Sequence, residues 1–165
     1  MTTVAVFPGS FDPPTLGHVS LIRRAAELWD EVVVLVAINP AKQGWLDAQK
    51  RVTLLEEIVE STPNVRVHAT DDLVVAFAEQ YREPDKQVVL VRGLRDSEDL
   101  DYELLLAHAN REMGHGMETV FLPAAQSLQK VSSTEVRSRI EQGEQVADLL
   151  HPRTVASLRR HQESR

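Results

Sequence analysis

Along the chain, short and nearly unbroken apolar runs alternate with segments whose apolar positions recur every three or four residues. Glu31 to Ile38 (EVVVLVAI) is almost continuously β-branched, the pattern of a parallel strand covered on both faces. Thr3–Phe7, Val65–His68, Gln87–Val91 and Thr119–Leu122 read as further strands. Leu16–Trp29 carries Val19, Ile22, Ala25, Ala26 and Trp29 at helical spacing. Helices are also predicted near Asp47–Glu60, Leu73–Tyr81, Leu100–Met113, Ser133–Gln142 and Pro152–Arg160, with Gly114 at the end of the fourth. Asn39–Leu46 is a loop, and Trp29, Phe77 and Phe121 are expected in the core.

Strand–helix–strand alternation of this kind implies a parallel sheet wound by right-handed crossovers. The expectation is a single α/β domain over 1–165, Rossmann-like, with five parallel strands and helices on both faces, and with 161–165 as a frayed polar tail. In such a sheet, ligands bind beyond the carboxyl ends of the strands. Four polar clusters follow predicted strands: PGSFDPPTLGH, NPAKQG, RGLRDSEDLDYE and AAQSLQKVSST. All four should converge at one edge.

Composition narrows what that edge can do. The 165 residues, 42% hydrophobic and 26% charged, suit one globular domain. No segment approaches the roughly 20 apolar residues that span a bilayer, and the N-terminus reads as a strand rather than a signal peptide. A cytoplasmic protein without a membrane partner is expected. With no cysteine and scattered histidines, no tightly held transition metal is expected. The net charge of −7 and the absence of a long basic stripe disfavour nucleic acid as a partner. Small anions can still bind where basic groups and helix N-termini meet.

Pro8-Gly9-Ser10-Phe11-Asp12-Pro13-Pro14-Thr15-Leu16-Gly17-His18 is the strongest such place. A tight turn leaves a strand and enters a helix, whose first N–H groups and dipole favour an anion. Ser10 adds a hydroxyl, and His18 sits in the first turn. Arg92-Gly93-Leu94-Arg95 offers two forked guanidiniums around a glycine, after a buried strand. Lys42 lies in the loop after the second strand. Ser132-Ser133-Thr134-Glu135 fits a capping box, and a capped helix start ringed by hydroxyls can also hold phosphate.

The first of these segments resembles the T/HxGH signature of the nucleotidylyltransferase superfamily, and its form DP-x-T-x-GH resembles the phosphopantetheine adenylyltransferase family. The likeness runs from about Val4 to Arg160 and includes RGLR followed by Asp101-Tyr102-Glu103, Ala107 through Arg111, and VSSTEVR. It implies transfer of the adenylyl group of ATP to 4′-phosphopantetheine, giving dephospho-coenzyme A and pyrophosphate without a covalent enzyme intermediate. By the same resemblance His18 stabilises the transition state, and Lys42 binds the acceptor phosphate. Ser10 touches both substrates, while Arg92 and the backbone at Val74 meet the acceptor. Phe11, Gly93, Leu94, Arg95, Glu103 and the segment Leu128, Gln129, Lys130, Val131, Ser132, Ser133, Thr134 contact ATP.

Leu128 and Lys130 stand where relatives carry aromatic residues, and Trp45-Leu46 replaces their usual pair. The resemblance further implies Mg²⁺ arriving with ATP, a homohexamer, and feedback by coenzyme A. A mononucleotide of nicotinate or nicotinamide is the alternative acceptor, disfavoured by Asp12, Thr15, the RGLR block and the short chain. A non-catalytic nucleotide sensor is a second alternative, which the intact His18, Lys42, Arg92 and Arg95 disfavour.

Overall fold

The fold was obtained as a computed structural model, which describes residues 1–163, with side chains through Arg160. The elements are β1 (Thr2–Gly9), α1 (Leu16–Leu28), β2 (Glu31–Ala37), α2 (Ala48–Val59), β3 (Val65–Thr70), α3 (Val74–Glu79), β4 (Lys86–Leu94), α4 (Ser97–Met113), β5 (Glu118–Pro123), α5 (Ser133–Glu141) and α6 (Pro152–Glu163). A short 3-10 turn, Gln126–Leu128, precedes α5. Helix α6 enters the stretch expected to fray, and 164–165 lie outside the described residues.

All pairings are parallel, in the order β3-β2-β1-β4-β5. Successive side chains of a strand point to opposite faces, and here that alternation divides the core in two. Ala5, Phe7, Val32, Val34, Val36, Val89 and Val91 pack with Val19, Ile22 and Ala25 of α1 and Leu55 and Ile58 of α2. Val4, Val6, Val33, Leu35, Val88 and Leu90 pack with Val75 and Ala78 of α3 and with Met117. Because both faces are covered, β1 and β2 read as continuous apolar runs rather than as alternating ones. A third cluster joins Leu46 and Leu54 to Val131, Val136, Leu149, Leu150 and Leu158, seating α5 and α6 beside the carboxyl edge.

Trp29 and Phe77 pack against the first and second clusters, whereas Phe121 is only half-buried on the edge strand β5. Strand β4 reaches Leu94, so Arg92, Gly93 and Leu94 belong to the strand and not to a following turn. Helix α4 begins at Ser97 instead of Leu100, because Asp96 caps it by accepting the backbone N–H groups of Glu98 and Asp99. Among the described residues, no helix is long and apolar enough to cross a membrane.

Candidate active site

The strand order turns back between β1 and β4: the chain goes from β1 outward to β2 and β3, then returns to the other side for β4 and β5. Such a switch point opens a crevice at the carboxyl edge. Here β1 stays paired with β2 as far as Gly9↔Val36, but its pairing with β4 ends at Val6↔Leu90. Beyond that point Arg92 bridges the two strands, its Nη1 donating to the Pro8 carbonyl at 2.8 Å. The resulting cavity, of about 270 Å³, is lined by Pro8, Gly9, Ser10, Phe11, Thr15, His18, Arg92, Gly93, Arg95, Asp99 and Glu103, with Leu128, Val131, Ser132 and Ser133 across from them.

The loop from β1 to α1 is tightly folded. A Cβ on Gly9 would stand 3.0 Å from the Phe11 ring, so glycine permits the close approach there. Phe11 has φ 48, a left-handed conformation that non-glycine residues rarely adopt and that costs on the order of 1–3 kcal/mol. Fully buried, its ring meets Phe7 edge-on and lies 4.9 Å from the His18 ring. The Asp12-Pro13 peptide is cis.

Thr15 caps α1 with its hydroxyl accepting the His18 N–H at 3.4 Å, and His18 answers with Nδ1 accepting the Thr15 N–H at 3.0 Å. A histidine thus takes the place usually held by Glu or Gln in a capping box. The exchange also fixes the tautomer. Nδ1 faces a backbone donor and must be unprotonated, so the neutral ring carries its proton on Nε2. Burial, followed by the positive charges of Arg95 and Arg92, lowers the His18 pKa from 6.5 to about 4. His18 is therefore a neutral hydrogen-bond donor near neutral pH.

Both guanidiniums lining the cavity are oriented by carboxylates. Glu103, 8% exposed, accepts from Arg92 Nε at 2.7 Å and Nη2 at 2.6 Å. A guanidinium has five N–H donors; with Pro8 also served, one remains on each terminal nitrogen of Arg92. Asp99 accepts from Arg95 Nε and Nη2, both at 3.0 Å, and from its backbone N–H at 3.1 Å. Hydrogen bonding from Arg95 draws the Asp99 carboxyl below its ordinary range. Asp99 leaves the Arg95 Nη1 nitrogen untouched, and Arg95 lines the cavity.

Helix α5 faces this cluster with its N-terminus. Ser132 caps it, accepting the Glu135 N–H at 3.1 Å. The reciprocal half of the expected capping box is missing, because the Glu135 carboxylate is held by Arg139 at 2.8 Å. Ser133 donates its hydroxyl to the Pro13 carbonyl, tying α5 to the β1–α1 loop, while the Ser132 hydroxyl retains its proton for another acceptor.

Ser10, Phe11, His18, Arg92, Gly93, Arg95, Glu103, Leu128, Val131, Ser132 and Ser133 thus line one cavity. Leu94, Gln129, Lys130 and Thr134 do not line it; the last three are exposed beside it. Lys42 is exposed and lines a neighbouring cavity with Trp45 and Arg51, and Val74 opens α3 beyond β3.

Other residues escaped the sequence reading. Asp99 lies four residues after Arg95, a spacing that hints at pairing once the helix is known to start at Ser97. Arg51 shares helical spacing with Leu55 and Ile58, which marks it as facing inward, and its Nη1 donates to the Ser10 carbonyl at 2.8 Å. Arg137 donates to the Asp12 carbonyl at 2.6 Å. Thus the carbonyls of residues 8, 10, 12 and 13 are each held by a side chain from another element.

This geometry has counterparts. The Cytidylyltransferase-like family profile matches residues 6–139. A crystal structure from Vibrio parahaemolyticus, of a protein provisionally assigned as a nicotinate-nucleotide adenylyltransferase, superposes with a TM-score of 0.73 over 96% of this chain and 91% of that one. At 23% identity it supports the fold alone. Two relatives named phosphopantetheine adenylyltransferase are far closer in sequence. The Cutibacterium acnes protein is 44% identical over 88% of this chain and 90% of its own length. The Sodalis glossinidius protein is 40% identical over 83% of each. With the crevice, the neutral histidine and the paired arginines in place, these likenesses put the chain in the phosphopantetheine adenylyltransferase family, among the cytidylyltransferase-like proteins.

Proposed function

We propose that this protein transfers the adenylyl group of ATP to 4′-phosphopantetheine, forming dephospho-coenzyme A and pyrophosphate, a step of coenzyme A biosynthesis. One observation carries the reading. In a chain of this family, the Nε2–H of a neutral His18, the free N–H groups of Arg92 and Arg95, and the capped start of α5 converge on a single cavity. That is a donor set for two phosphorylated substrates.

The acceptor phosphate is already anionic at neutral pH, so no base is needed. One of its oxygens bonds to the α-phosphorus of ATP while the α-phosphorus–oxygen bond to the β-phosphate breaks, and pyrophosphate leaves. The protein's task is alignment and charge stabilisation. In our assignment His18 Nε2–H donates to the α-phosphate as charge builds, the strategy of a preorganised oxyanion site. A neutral donor suits this role because it keeps its proton throughout. Ser10 contacts both substrates, and Arg95 with the α5 start holds the β- and γ-phosphates. Lys42 and Arg92 hold the acceptor phosphate, with Val74 backbone along the pantetheine arm. Phe11, Gly93, Leu94, Glu103 and Leu128–Thr134 shape the ATP side.

Among the described residues, no three potential ligands cluster as a ready-made metal site. We assign Mg²⁺ to the ATP phosphates, the usual mode for this hard, well-hydrated ion. A hexamer is proposed as the working assembly. Its support is α4, which buries only Glu103 while Tyr102 and Leu105 stand 61% and 67% exposed. A cytoplasmic location and competition by coenzyme A at the same cavity complete the proposal.

Pyrophosphate release from MgATP, compared across 4′-phosphopantetheine, nicotinate mononucleotide and nicotinamide mononucleotide, tests the acceptor. Release with phosphopantetheine alone is expected, and release with a mononucleotide would move the acceptor assignment. His18→Ala should lower kcat by roughly 10²–10³ with little change in ATP binding. Small, equal losses in both would remove His18 from the transition state.

A further inference from the structure

The two loops that carry the reacting groups are fastened to each other by a pair of buried charges. From α2, Arg51 (5% exposed) donates Nη1 to the Ser10 carbonyl at 2.8 Å. In the opposite direction, the Asp12 carboxylate (8% exposed) accepts the backbone N–H groups of Trp45 at 2.6 Å and Leu46 at 2.7 Å. The fastening is tight where it passes Gly44. A Cβ there would lie 2.7 Å from the Leu46 carbonyl, 3.1 Å from Arg51 Nη2 and 3.2 Å from Asp12 Oδ2.

Burying a guanidinium and a carboxylate is costly, and an apolar pair often serves stability as well or better. Arg51 even leaves its Nε without a partner. What these groups do provide is register. Asp12 belongs to the loop that leads into His18, and Trp45 and Leu46 end the loop that carries Lys42. Leu46 is in turn anchored in the cluster of Leu54, Val131 and Val136, which also seats α5.

We infer that Asp12 and Arg51 are positioning residues that hold the Lys42 loop in register with Ser10 and His18, and so govern use of the acceptor rather than binding of ATP. The inference rests on the acceptor role proposed for Lys42.

Steady-state kinetics of Asp12→Asn, Arg51→Gln and Arg51→Lys test it, with Lys42→Ala alongside. Asp12→Asn retains one oxygen for the two N–H groups and turns an NH₂ toward the other. We expect the acceptor KM to rise about tenfold or more, the scale of a lost charge-assisted hydrogen bond. The ATP KM should stay within about twofold, and Arg51→Lys should recover part of what Arg51→Gln loses. A spectroscopic signature accompanies this. In a Trp29→Phe background, Trp45 is the sole tryptophan, and Asp12→Asn should make its emission redder and more quenchable by acrylamide.

Equal changes in both KM values, with Trp45 emission unmoved, would overturn the inference. Should Asp12→Asn fail to fold, Gly44→Ala disturbs the same contact from the acceptor loop, and the same split or equality decides. The two readings separate cleanly. If Lys42→Ala leaves the acceptor KM unchanged while Asp12→Asn raises it selectively, the fastening stands and the Lys42 role falls. If Lys42→Ala raises the acceptor KM and Asp12→Asn moves both values alike, the fastening falls.

Discussion

The protonation of His18 gives the sharpest quantitative test of the site's electrostatics. Its ring is half-buried, its Nδ1 accepts the Thr15 N–H, and two guanidiniums flank the same cavity. Burial first, then Arg95 and Arg92, takes its pKa from 6.5 to about 4. A gap of that size corresponds to roughly 3 kcal/mol against the imidazolium. At pH 5 an unperturbed ring would be almost fully protonated, whereas a pKa of about 4 leaves roughly a tenth protonated.

The consequence for stability has a definite sign. Between pH 6.5 and about 4 the unfolded chain takes up a proton at His18 that the folded chain refuses, so the fold loses stability as pH falls through that window. Above pH 6.5 His18 carries no such penalty. The ring can be followed by ¹H–¹⁵N NMR in the free protein, with assignment by comparison with His18→Ala. We expect an Nε2–H tautomer and little protonation at pH 5. Arg95→Gln should raise the midpoint, yet leave it under 6.5, because burial is the larger cause. A midpoint near 6.5 in the unaltered protein, or an Nδ1–H tautomer, would refute the neutral-donor account.

Other outcomes follow from single contacts. Glu103→Ala removes two of the three hydrogen bonds that orient Arg92; the pair is not fully enclosed, so the loss should be about 2 kcal/mol, read as a fall of roughly 4–8 °C in Tm, with impaired turnover. Unchanged Tm and turnover would deny that clamp. Lys42→Ala should raise the acceptor KM roughly tenfold and leave the ATP KM nearly unchanged, as measured by initial rates. Leu105→Asp, at a position 67% exposed in the single chain, should leave the monomer fold intact and lower the mass seen by light scattering; an unchanged mass would remove α4 from the proposed interface.

Much of this was legible in the chain because the signals were local. Val32, Val33, Val34 and Leu35 announce a strand covered on both faces, and the five strands follow from runs of this kind. His18 and Ser132 were legible because each sits at a helix start beyond a strand, and Arg92 because it ends a buried apolar run toward the carboxyl edge. What stayed hidden depends on contacts far apart in sequence. Nothing near Asp12 says that its carboxylate will meet the backbone of Trp45 and Leu46, or that Arg137 will reach its carbonyl. Arg51 has the spacing of an inward-facing residue, but its partner, the Ser10 carbonyl, is set only once α2 is docked. The extension of β4 through Leu94 was also invisible, since pairing with β5, at Arg92↔Phe121 and Leu94↔Pro123, sustains it where local sequence suggests a turn.

The central claim is that an oxygen of the acceptor phosphate, and not of water, bonds to the α-phosphorus of ATP and stays in the product. Incubating the protein and MgATP with 4′-phosphopantetheine carrying ¹⁸O in its phosphate, and weighing the products by mass spectrometry, tests it most directly. The account predicts dephospho-coenzyme A that retains all the label, together with unlabelled pyrophosphate. Label in the pyrophosphate, or free AMP in place of the adenylylated product, would contradict it.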